Sequence, residues 1–122
     1  MRTKLTVAFL VLVLFGAVAA QAATLRVVVV ETSDVAAYVK AIEQGRELLK
    51  SKGSPVMLRV WKARFAGDKA GSVVATAEYP SLEALAQDDA RMKSDPEMKG
   101  WLSSMDRLRK LVSDSIYEEQ TP

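Results

Sequence analysis

Four valines in a row, Val27 to Val30, set the strongest constraint on what this chain can fold into. Successive residues of a strand point to opposite faces, so a sheet with one wet face needs polar residues at every second position. Within the stretch Leu25 to Thr32 the valines, bounded by Arg26 and Glu31, break that alternation, and their β-branched character suggests a short strand covered on both sides. Helices can supply one cover. The other has to come from elsewhere, and a partner's sheet is the natural source.

Ahead of this strand, Arg2 and Lys4 precede an uncharged run from Leu5 to Ala19, and Ala20-Gln21-Ala22 ends it with small residues. Positive, apolar and A-x-A segments in that order predict a signal peptide over residues 1–22. A membrane anchor needs roughly 20 apolar residues, more than this run supplies. No cysteine follows to carry a lipid. The expectation is a mature chain starting at Ala23, periplasmic or secreted, soluble and without a stable membrane anchor.

Arg2 and Lys4 account for the whole formal net charge of +2, so the remainder is balanced. Lys and Arg are scattered among acids, which gives no footprint for nucleic acid. Residues 23–122 are enough for one domain and too few for two. There is no cysteine to staple so small an exported domain, which is a further hint of an oligomer. Histidine and asparagine are also missing, so zinc, copper and haem sites lack their preferred ligands and a catalytic triad is unavailable. No metal and no cofactor are expected. The neighbouring acids Asp88 with Asp89, and Glu118 with Glu119, read as solvated charges, because sequence neighbours point in different directions.

Along the chain, Ser33 or Asp34 can cap a helix whose apolar positions Val35, Tyr38, Val39, Ile42 and Leu49 follow helical spacing, with Gly53 as its stop. Val56 to Phe65 and Ser72 to Tyr79 read as a hairpin. Pro80 ends the second of these strands, and Ser81 can cap a helix that opens with Leu82, Leu85 and Ala86. The helix restarts at Asp95 and Pro96, where Met98, Trp101, Leu102, Met105 and Leu108 form a stripe. Leu111 to Glu119 reads as a last strand. The order is β-α-β-β-α-β with the second helix broken, the plan of an α+β ferredoxin-like domain with a four-stranded antiparallel sheet and both helices on one face.

In this order the strand Gly71 to Tyr79, the helix entry Pro80 to Leu85, the restart Ser94-Asp95-Pro96-Glu97 and the closing Ser115-Ile116-Tyr117 resemble the dimeric α/β-barrel superfamily. That superfamily includes NIPSNAP-like, stress-responsive barrel and antibiotic-biosynthesis monooxygenase proteins, and the resemblance covers nearly all of residues 23–122. It implies a homodimer whose sheets face each other around a barrel, with a ligand cavity inside or beside it. Members that degrade haem or oxidise polyketides use His, Asn and Trp, of which this chain has only Trp. The resemblance therefore argues against oxygenase chemistry.

Strand alternation proposes which residues face that barrel. Val73, Ala75, Ala77 and Tyr79 suit the helices, leaving Val74, Thr76 and Glu78 on the other side; Val56, Leu58 and Val60 likewise leave Arg59, Trp61 and Ala63. The candidate ligand-binding set is Arg59, Trp61, Thr76, Glu78 and Tyr117, with Arg59 holding an anionic or carbonyl group and Trp61 an apolar body. The competing reading is an internal Arg59–Glu78 salt bridge with Trp61 filling space. Function is expected to be noncatalytic binding of a small ligand by a dimer. The alternatives are a cofactor-free monooxygenase- or isomerase-like enzyme, with Glu78 as its acid or base, and a purely structural dimer.

Overall fold

The computed structural model describes residues 22–64 and 67–121. All of the expected signal peptide except Ala22 lies outside them. Seven main elements follow: β1 (Thr24–Glu31), α1 (Val35–Ser51), β2 (Met57–Lys62), β3 (Val73–Tyr79), α2 (Leu82–Ser94), α3 (Pro96–Asp106) and β4 (Lys110–Glu118). The strands form one antiparallel sheet in the order β2-β3-β1-β4, which is the ferredoxin-like arrangement.

Local chemistry sets the ends of these elements. The Asp34 side chain accepts the Ala37 N–H at 3.0 Å and starts α1, which gives way to Gly53 at a φ of 81° that side chains avoid. Ser81 caps α2 by accepting the Ala84 N–H. The break in the second helix falls at Asp95, whose side chain accepts from the N–H groups of Glu97 and Met98 while Pro96 occupies the first position of α3. Proline at that position forfeits no helical bond, so the chain bends at little cost. The β2–β3 hairpin is shorter than expected, because after Lys62 only Ala63, among the described residues, still bonds across, to Gly71 and Ser72.

Pairing register divides the sheet into two faces. Thr24, Arg26, Val28 and Val30 share a side with Tyr79, Ala77, Ala75 and Val73, and with Leu58 and Val60 of β2. Tyr38, Ala41, Ile42 and Leu49 of α1 close over this side together with Met98 and Met105 of α3. Trp101 is seated on α1 through Gly45: a Cβ there would lie 2.1 Å from the indole, whose N–H donates to the Ala41 carbonyl at 2.9 Å. Gly45 is thus a saddle for Trp101. The other side carries Leu25, Val27 and Val29, and among the described residues no helix covers it, which answers the doubly apolar pattern of β1. β4 is an edge strand with a bulge, pairing Val29 with Ser113 but Val30 with Leu111, and its Leu111 and Ile116 are exposed.

Two expectations need amendment. Asp88 is no solvated charge: it is 1% exposed and accepts hydrogen bonds from the Ser54 hydroxyl and, at 3.3 Å, from Arg91. Asp89 forms a 2.8 Å ion pair with Arg26. The helix turn they share puts one toward β3 and the other toward β1, so adjacent acids find separate partners.

Candidate functional site

Arg59, Trp61, Thr76, Glu78 and Tyr117 all lie on the helix-free face, as register dictates. Arg59 is cross-strand to Thr76, and Trp61 donates its indole N–H to the Thr76 hydroxyl at 2.8 Å. No ion pair within 4.0 Å joins Arg59 to Glu78; the guanidinium lies against the Met57 sulfur instead. Tyr117 stands apart, because Leu25 of β1 comes between it and Glu78, two strand spacings or about 10 Å. Arg59 and Trp61 ride on the edge strand β2 and border a shallow 350 Å³ groove against α1. Four of the five residues therefore gather on the β2–β3 side and one does not.

A larger hollow of about 430 Å³ lies on the opposite side, between the helices and the sheet. It exists because α1 packs chiefly over β2 and α2 over β3, with α3 lying against those two helices, while the helix-side surface of β4 is left uncovered. Its walls are mostly apolar, with Val28, Ala77, Met92, Trp101, Leu102 and Met105 among them. Arg26, Asp89, Asp106, Arg109 and Asp114 add charge along its margin. Arg26 fills the middle: its Nε and Nη2 meet the two oxygens of Asp114 at 2.9 and 2.6 Å, and its Nη1 meets Asp89 at 2.8 Å. These bonds hold the guanidinium above its ordinary value, and the same contact with Arg26 draws the Asp114 carboxyl below its own. Tyr79 also lines the hollow, and burial, with Asp88 beside it, pushes its phenol far up. It remains an uncharged donor at any physiological pH.

The strand reading overlooked this hollow, although one signal was present. Arg26 falls in phase with Val28 and Val30, on the side that faces the helices, and an inward arginine requires carboxylates. Those partners come from positions 63 and 88 residues away, which no local pattern predicts. Among the described residues, no group of three or more acidic, His or Cys side chains is placed to hold a metal ion, and no helix is long and apolar enough to cross a membrane.

No family model matches this chain, and no curated protein matches its sequence. Solved structures do match its fold. A variant of SnoaB, a cofactor-independent oxygenase from Streptomyces nogalater, superposes with a TM-score of 0.62 at 14% identity, over 84% of this chain and 97% of its own. A NIPSNAP family protein of unknown function from Agrobacterium tumefaciens gives 0.59 at 20% identity, covering 81% and 88%. A dimeric protein of unknown function with a ferredoxin-like fold, from Bacteroides fragilis, gives 0.52 at 12% identity over 80% and 96%. The chain thus shares the ferredoxin-like fold of these proteins, as the sequence resemblance implied.

Proposed function

We propose that this chain works, after export to the periplasm or beyond, as a homodimer that binds a small molecule without transforming it, and that the ligand occupies the hollow between helices and sheet. The observation that carries this reading is a 430 Å³ space with largely apolar walls and a few charged groups at one margin. Small-molecule sites commonly fall in this size range and combine apolar walls with few polar groups. Noncatalytic binding is supported by the state of the acids there. A general base needs a carboxylate free to take a proton, whereas Asp89 and Asp114 are committed to Arg26, which draws Asp114 down, and Asp106 stands at the rim 3.7 Å from Arg109.

Dimerisation through the helix-free face is supported by the two-sided apolar character of β1 and by the exposed Met57, Trp61 and Tyr117 on that face. In such a dimer Arg59, Trp61, Thr76, Glu78 and Tyr117 line the space between the sheets, and a ligand held there is the second reading. The bond from Trp61 to Thr76, which fixes the indole as a wall, favours it. Native mass spectrometry of protein isolated from its own cells tests both together. The expected spectrum shows two chains, each beginning at Ala23, with a retained small molecule. A monomer without adduct overturns the proposal, and turnover of the retained molecule replaces it with a cofactor-free enzyme.

A further inference from the structure

Among the described residues, Arg109 is the polar group whose burial is least compensated. Its side chain is 12% exposed, yet its Nη1 makes one long hydrogen bond of 3.3 Å to the Tyr38 hydroxyl, and its Nη2 stands 3.7 Å from Asp106. Its Nε is buried with no partner at all. A guanidinium carries five N–H donors, and a charge taken out of water without partners is expensive. Arg26, a few residues across the same hollow, shows the contrast: it makes three bonds of 2.9 Å or less to two carboxylates. Asp114 lies close enough for Arg109 to help draw it down, but both its oxygens already accept from Arg26. The chain therefore holds a largely buried cation beside an apolar hollow and offers it little of its own to bind. Lys93 adds a second positive charge at the rim.

We propose that the hollow takes a ligand with an apolar ring body and a carboxylate head, and that Arg109 anchors the head while the body lies against Trp101, Met92 and Met105. A planar fork matches a carboxylate with two parallel bonds, which a neutral amide cannot reproduce. This assignment rests on the reading of the hollow as a ligand site.

Calorimetric titration of 2-naphthoate and of 2-naphthamide, a pair equal in size and different in charge, tests it in the wild-type dimer or monomer. The acid is expected to bind at least about tenfold tighter than the amide. In Arg109→Gln the two are expected to bind equally, with the amide unchanged. Ligand-free Arg109→Gln is expected to melt no lower than wild type, because a merely structural arginine would be missed and an undercompensated one is not. Equal binding of acid and amide by the wild type overturns the anchor and leaves the hollow standing, whether or not the variant folds. A preference for the acid that survives Arg109→Gln also overturns it. Binding of neither compound overturns the hollow as a ligand site together with the anchor.

Discussion

On the helix side of the sheet Val30 is fully buried and Leu58 and Val73 nearly so, whereas on the other side Trp61 is 50% exposed and Tyr117 58%. Both faces are built by the same strands, and both are rich in apolar residues. The difference lies in what the rest of the chain does. The helical stretches α1 and α2–α3 close most of one face, up to β4, and among the described residues no element covers the other. The comparison therefore separates the core the chain builds with its own helices from an apolar surface of the kind through which proteins interact.

Truncation on the closed face puts the greatest strain on this comparison. Leu49→Ala, at a position 1% exposed, is expected to cost about 2–5 kcal/mol. It should appear as a lower urea midpoint with an unchanged slope. A loss below about 1 kcal/mol would mean that the helix layer is loosely packed and the two faces differ less than their exposure suggests.

Gly45→Ala asks how tightly the layer over the hollow fits. Its new methyl group would meet the indole of Trp101, so a loss of about 1–3 kcal/mol is expected, together with a change in Trp101 emission as the ring moves. An unperturbed spectrum would show that α1 and α3 slide apart freely.

Acid titration follows in size. The folded-state value of Asp114 is held below the ordinary 3.8, by its hydrogen bonds from Arg26 first. A depressed acid contributes stability that is complete above its unfolded value and is lost as pH falls through the folded one. The stability of wild type should therefore decline below about pH 4 more steeply than that of Asp114→Asn. The margin is at most about 1 kcal/mol, since the pair is part-exposed and screened. Equal acid slopes would show that the hub at Arg26 contributes nothing to folding.

Trp61→Ala gives the smallest change on the open face, within about 0.5 kcal/mol for dilute protein. Repeating the melt at high concentration sharpens the result, because a face buried by a second copy makes the loss grow with concentration. A constant difference would count against assembly through this face.

How much of this could be read from the amino-acid order follows from the range of each interaction. Alternation in Val73 to Tyr79 assigned the faces of β3 correctly, because side chains must alternate wherever a strand is extended. The helix break was legible from Asp95 and Pro96, because capping acts within three residues. The hollow was not, since it depends on how far α1 and α2 reach across the sheet, which no segment encodes by itself. Nor was the burial of Asp88, whose partner Ser54 sits in the connection after α1 and meets it only once the layers have packed. Tyr117 was grouped with Glu78 by face alone, and the strand order that separates them is a property of the whole sheet.

One small cluster carries a consequence of another kind. The connection after α1 is tied to the second helical stretch at several points: Lys52 meets Asp95 at 3.1 Å and Glu97 at 3.0 Å, and Ser54 meets Asp88. Small exported domains often make such a tie with a covalent sulfur bridge, which forms only where an oxidant is at hand. Here the tie is built from charges and a hydroxyl, and the sequence has no thiol to oxidise. Thiol–disulfide exchange therefore has nothing to act on in this fold. The chain can close in a reducing or an oxidising medium, and reductants, which unravel many proteins of its size, have nothing in it to attack.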